Sequence, residues 1–382
     1  MFNHFLRLAN IECALCLFIL ASLLVGNLTL ASVFFNLTMI ALLPHLLQVL
    51  KKGEERRLTF SYIITMGSAW LCSCLSLLNK HGNIEFYMLH KPMMFSIVLT
   101  AFYCMSTVKV VNTDFSFITR TGLAASGIFY LMYLIYGKGI GMGIFTLCFS
   151  NSNLCGMWVL LYILYGLVSL IYDKHVILKI YALCTLSINF AFLLWSETRN
   201  CIISLVLCIT LFCLFKHKKD KPFSPAVIWI VILFPLIFAV TYLANIKIIE
   251  TSDCFDFLVS EGKGIDSRVE IWERFLNKFF ESPIVGCLGD FPRGMQAHNS
   301  HFDILCAFGM PTFCFCCYFL YRIFYKINQQ IQSRQQFIMF ISFIATTLLG
   351  MGEAALYVGA GGFYAACAVF IYLARVSEIK RI

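Results

Sequence analysis

Residues 264–312 read GIDSRVEIWERFLNKFFESPIVGCLGDFPRGMQAHNSHFDILCAFGMPT, a polar interruption in a chain that is apolar nearly everywhere else. On both sides of it, apolar runs of roughly the 20 residues a membrane span requires recur along the chain. Of 382 residues 60% are hydrophobic and only 13% charged, with a mean hydropathy of +0.82. A soluble domain would be about a quarter charged. The chain therefore reads as an all-α polytopic membrane protein, and residues 246–301 as its one long outward loop.

Twelve hydrophobic runs are candidate spans: about 11–26, 28–50, 58–78, 93–110, 121–136, 154–172, 178–195, 201–215, 225–245, 302–321, 337–350 and 356–374. They divide the chain into a membrane region of about nine spans (1–245), the large loop (246–301), and a membrane region of about three spans (302–382). No convincing small-residue cleavage site follows the first run, so it reads as a span rather than a removed signal. With the N-terminus inside, the inner connections hold nineteen of the 29 Lys and Arg, among them Lys51, Lys52, Arg56 and Arg57, Lys216 to Lys221, Arg322, Lys326 and Arg375. The outer side keeps ten, six of them in the long loop, which is too long to count. Nineteen against four puts both termini in the cytoplasm.

This sorting also accounts for the net charge of +9. The loop itself carries six basic against nine acidic residues, so the excess is a topology signal on the inner face and attracts anionic lipid there. It gives no reason to expect nucleic acid. Most of the 18 cysteines, such as Cys72, Cys74, Cys316 and Cys317, lie within apolar runs with no His or carboxylate at ligand spacing, and read as small hydrophobes. Cys254 and Cys287 fall in the outward loop and could pair in an oxidising compartment. Pro44-His45 lies inside the second run, where the histidine is a hydrogen-bonded core residue, lies near the interface, or is part of a proton path.

Three polar stations fall at outer span ends. Trp195-Ser196-Glu197-Thr198-Arg199-Asn200 is a tight turn whose Glu197 and Arg199 could simply pair. Ser267-x-x-Glu270 has the form of a capping box, and Val269, Trp272, Phe275, Leu276 and Phe279 follow with helical period until Pro283. That predicts a helix of about 14 residues lying on the outer interface with its aromatics toward lipid. Arg268 in its first turn is disfavoured by the helix dipole and needs a partner: an anionic ligand, Glu197 or Asp266. The third station is His298-Asn299, just before a span, followed after nine residues by Gly309-Met310-Pro311-Thr312.

The order of these stations resembles the O-antigen ligase and O-antigen polymerase superfamily of bacterial membrane glycosyltransferases. His298-Asn299-x9-Gly309-Met310-Pro311-Thr312 is similar to the ligases' H-[NSQ]-x9-G-x-x-[GTY] signature at each fixed position. Ser267-Arg268-x3-Trp272 and Pro283-Ile284-Val285-Gly286 resemble the family's S-R-x3-W and P-[IL]-x-G elements, and Thr198-Arg199 its arginine turn. Phe149-Ser150-Asn151-Ser152-Asn153 departs from an N-P-N turn, with Ser152 in the place of proline. The resemblance implies transfer of a glycan from an undecaprenyl-pyrophosphate-linked donor at the outer face of the bacterial inner membrane. The acceptor would be lipid A–core for a ligase, or another lipid-linked glycan for a polymerase.

Residue chemistry is compatible with that implication. A pyrophosphate leaving group needs charge neutralisation, which guanidinium supplies in bidentate geometry, whereas a sugar hydroxyl needs a base of near-neutral pKa. On this reading Arg199, Arg268 and Arg293 bind pyrophosphate and His298 is the base, with His301 as its rival. Asn299 and Asp303 orient the histidine or bind sugar, and Glu197 and Trp272 support the site. No cofactor is implied, and no D-x-D element is placed to hold a metal for a nucleotide-sugar. The different-class alternatives are a polysaccharide transporter or flippase, which would concentrate ionisable groups at mid-membrane and show internal repeats, and a non-catalytic scaffold.

Overall fold

The computed structural model describes residues 28–52, 55–82, 84, 89–108, 115–137, 145–147, 152–215, 223–245, 266–290, 297–352 and 361–375. They form twelve α-helices and no strands: α1 (Leu28–Lys52), α2 (Arg56–His81), α3 (His90–Thr107), α4 (Phe115–Tyr136), α5 (Ser152–Tyr172), α6 (Val176–Trp195), α7 (Arg199–Phe215), α8 (Pro225–Ala244), α9 (Asp266–Glu281), α10 (Ser300–Gln330), α11 (Arg334–Leu348) and α12 (Gly361–Arg375). Two short 3-10 turns, Leu288–Asp290 and Leu349–Met351, follow α9 and α11. Five helices (α2, α5, α6, α8 and α10) are long and apolar enough to cross a membrane. The side chains they and their neighbours turn outward are as apolar as the core: Ile135, Val176, Ile177 and Leu214 are all strongly exposed. A surface of that kind is suited to lipid, since soluble monomers rarely leave large contiguous apolar area bare.

The expected first span lies outside the described residues. Each of the other eleven expected runs coincides with a helix, though the ends differ. Helix α4 starts at Phe115, ahead of the expected 121, and α10 continues to Gln330, well past 321. Hydropathy marks only the part of a helix that meets apolar surroundings, whereas the helix itself continues through polar turns.

Helix α10 is the axis, packed on α2, α3, α8 and α9, while α12 lies between α3 and α11 and α5 runs beside α6. Since lipid is as apolar as leucine, helices in a membrane associate through close packing and hydrogen bonds. The α2–α3 seam has both. Tyr62 stacks on Tyr103 at 4.4 Å, Tyr62 Oη meets Thr100 Oγ1 at 2.8 Å, and Thr59 Oγ1 meets Tyr103 Oη at 2.8 Å. His45 belongs to this core network: its Nε2 lies 3.0 Å from Thr107 Oγ1, which donates to Tyr103 O.

Contacts sort the polar residues into two ends. At one, Lys80 meets Asp290, Lys91 faces Asp303, and Asn299 reaches Met351. At the other, Lys326 meets Glu55, Asn328 bonds to both the N–H and C=O of Phe223, and Arg375 reaches Met105 O.

Candidate functional site

The first of these ends is built on a break in α10. Gly309 has φ 77 and ψ 174, outside helical space, and Pro311 two residues on has no N–H for the ladder. The backbone bonds that the break frees are taken up by residues 283–287. Cys306 O, which would accept from Met310 in a continuous helix, accepts from Cys287 N at 2.6 Å, and Met310 N donates to Pro283 O at 2.8 Å. Helix α2 closes the other side, where Ser76 Oγ donates to Gly286 O at 3.1 Å. A Cβ on Gly309 would collide with Ile284 O, and one on Gly286 would come within 2.6 Å of Ala307 O. The Pro-Ile-Val-Gly and Gly-Met-Pro-Thr elements, far apart in sequence, are thus two halves of one backbone joint. The glycines are there because the two backbones touch.

Above this joint sits the loop 297–299. His298 has φ 47, a left-handed conformation uncommon outside glycine but tolerated better by His than by most residues. Trp272 of α9 donates from Nε1 to Ala297 O at 2.7 Å, and Asp303 Oδ1 accepts from Ala297 N at 3.3 Å. Asn299 caps α10, its Oδ1 accepting from His301 N and Phe302 N at 3.0 and 3.2 Å. Its Nδ2 donates to Pro235 O of α8 at 2.8 Å and to Met351 O at 3.2 Å. Two donors and two acceptor positions exhaust a carboxamide, leaving none for a sugar hydroxyl. Asn299 therefore orients His298 through the main chain.

Trp272 likewise has no face open to a sugar. It is 2% exposed, edge-on to Tyr242 and Phe302. This corrects the expectation for α9: Trp272, Phe275 and Phe279 point into the protein, where α9 packs on α10, and only Phe280 is turned out. The amphipathic pattern gives the existence of an apolar face but not what covers it. The capping-box expectation also shifts, because α9 runs Asp266–Glu281 and Ser267 lies within the helix.

His298 is half-buried, whereas its rival His301 is 2% exposed, with its ring edge on Phe313. Asp303 is buried in the first turn of α10, in electrostatic contact with His298 and with Lys91 of α3. Lys91 was not expected. Its signal, a cation in the first turn of a span where the helix dipole opposes it, is the one that pointed to Arg268. Arg199 is exposed at the first position of α7, after Glu197 in a left-handed conformation (φ 52). Buried Thr198 anchors that turn by donating from Oγ1 to Ser152 O at 3.1 Å and packing on Gly156. The starts of α7 and α10 meet through consecutive residues: Asn200 packs on Gly352, and Asn299 bonds to Met351. Arg268 lies one turn before Trp272 along α9; its side chain, and Arg293 and Cys254 entirely, lie outside the described residues. Cys287 is buried with Sγ donating to Lys278 O at 2.7 Å.

A charged pin holds the 288–290 turn to α2. Asp290 lies 3.1 Å from Lys80 and 3.2 Å from Lys278, which also meets Glu281 at 2.7 Å. The hydrogen bond from Lys80, then that from Lys278, hold the Asp290 carboxyl below its ordinary value of 3.8. A depressed carboxylate stabilises the fold above its unfolded pKa, and that contribution is lost as pH falls through the folded value. Asp290→Asn is expected to lower the melting temperature slightly at pH 7, because the pin is exposed. The difference should begin to shrink as pH falls past 3.8 and vanish only below the lower folded value. A difference that persists or grows in acid would show that the pin is not what the variant removed.

Among the described residues no three His, Cys, Asp or Glu come together to hold a metal ion. In comparison with known proteins, the chain matches no family model and no curated protein.

Proposed function

We propose that the protein is a membrane glycosyltransferase that moves a glycan from an undecaprenyl-pyrophosphate-linked donor to an acceptor sugar. The preferred form is the ligase reaction onto lipid A–core; extension of a lipid-linked glycan by a polymerase is the second form. On this reading the chain spans the inner membrane twelve times with both termini in the cytoplasm, and the Arg199–His298 end faces the periplasm. One observation carries the proposal: through Asn200–Gly352 and Met351–Asn299, the arginine turn and the histidine loop share one end of the bundle.

The chemistry of that end favours an anionic donor. Helices α3, α7 and α10 all begin there, each presenting the positive end of its dipole. Arg199 and Arg268 would hold the pyrophosphate oxygens. His298 would take the proton of the acceptor hydroxyl as its oxygen attacks the anomeric carbon. The glycosyl–phosphate bond breaks, and polyprenyl pyrophosphate leaves with the electron pair. Asp303, itself held by Lys91, would stabilise the imidazolium that forms. A transporter would place its ionisable groups at mid-membrane; here His298, Lys91 and Arg199 lie at helix ends.

Deleting the gene in its native host and running surface polysaccharide on a gel tests the reading. Loss of capped lipopolysaccharide with lipid-linked polymer retained is the ligase outcome, and a single-repeat band is the polymerase outcome. Lipid-linked glycan trapped on the cytoplasmic side would instead mark a transporter, and an unchanged gel would overturn the proposal.

A further inference from the structure

At the opposite end of the bundle, Arg322, Lys326 and Gln330 follow one another at four-residue spacing and so share one face of the last turns of α10. Arg375, at the end of α12, donates from Nε to Gln330 Oε1 at 3.1 Å and from Nη1 to Met105 O at 2.9 Å. Lys326 is in electrostatic contact with both Arg375 and Arg322. Against these three cations stands one carboxylate among the described residues, Glu55, 2.8 Å from Lys326 Nζ. Nε of Arg322 is buried and has no hydrogen-bond acceptor among the described residues. Like charges gathered away from water are costly unless a counter-charge joins them.

We infer that Arg322, Lys326 and Arg375 form a binding site for a phosphate-bearing anion, seated at the level of the lipid headgroups. The depth follows from where the helices end: Glu55 immediately precedes α2, Gln330 closes α10 and Arg375 closes α12, and spans end where an apolar bilayer core of about 30 Å gives way to headgroups. A guanidinium with a free edge matches two phosphate oxygens, and a phosphodiester headgroup is the phosphate available at that depth. The site is independent of the transfer reading, since it lies at the other end of the molecule.

The test uses the full-length protein in nanodiscs of phosphatidylcholine alone or mixed with phosphatidylglycerol. The readouts are melting temperature and bound lipid by native mass spectrometry. Phosphatidylglycerol is expected to raise the melting temperature of the natural protein. Arg322→Gln should bind it about tenfold more weakly, as befits loss of one charged hydrogen bond, and lose most of that rise. Glu55→Gln, which removes the competing carboxylate, should enlarge the rise. The same stabilisation by inorganic phosphate in phosphatidylcholine discs would assign the site to a free anion rather than a lipid. Equal rises in the natural protein and both variants would overturn the inference, leaving only diffuse attraction to an anionic surface.

Discussion

Replacing Gly309 with alanine is expected to remove most of the folded protein from the membrane. Two costs act together. At φ 77 and ψ 174 the residue occupies backbone space that is nearly closed to L side chains, a strain of about 1–3 kcal/mol. A Cβ there would also run into Ile284 O and reach within 3.0 Å of Gly286 N. The obstacle is main chain held to α10 on both sides, at Pro283 O and Cys287 N, so it cannot swing aside as a side chain would. Overpacking of that kind costs about a further 1–3 kcal/mol. The sum is a large share of the roughly 5–15 kcal/mol that typically separates folded from unfolded protein. Gly67, in the middle of α2, provides the contrast, because nothing lies within 4 Å of the place a methyl group would take. Alanine there should be neutral or stabilising by about 0.5–1 kcal/mol. Size-exclusion yield and melting temperature in detergent read both variants. If Gly309→Ala matches Gly67→Ala, the joint between residues 283–287 and α10 is not what holds this end together.

That joint shows what can and cannot be read along a sequence. Apolar runs located eleven helices because apolar surroundings impose one composition on a helix, whichever neighbour it meets. The special residues were legible as well: glycine and proline at 309 and 311, proline and glycine at 283 and 286, and a histidine just before an apolar run. Their partnership was not. The bonds Met310 N to Pro283 O and Cys287 N to Cys306 O join residues 27 and 19 positions apart with no side-chain signature. The same is true of Gly352, which looks like any loop glycine until Asn200 is found against it. Trp272 was legible as an amphipathic-helix residue, but periodicity cannot distinguish lipid from protein as the cover of an apolar face. For Asn299 the sequence left two roles open, orienting the histidine or binding sugar. The structure commits its whole amide to the backbone of three segments, which leaves the first.

Substituting asparagine for His298 should separate chemistry from folding at the proposed site. Alanine is the less informative choice, because the φ of 47 at this position is strained for most side chains, whereas asparagine enters the left-handed region readily. His298→Asn should therefore insert and melt as the natural protein does, with Trp272, Asn299 and Asp303 still holding the loop. What it lacks is a group able to accept the hydroxyl proton. General-base catalysis is worth about 10²–10⁴ in rate, so kcat for transfer of a labelled glycan should fall by that range. The KM for the lipid-linked donor should change little, since the arginines rather than the imidazole are assigned to its pyrophosphate. His301→Asn should behave in the opposite way. That ring is 2% exposed and packed on Phe313, so its loss should lower the melting temperature before it affects the rate per folded molecule. Undiminished kcat in a folded His298→Asn protein would end the base assignment. A fall confined to His301→Asn, at unchanged stability, would transfer the role to the buried histidine and require a route for the acceptor into the bundle between α8 and α10.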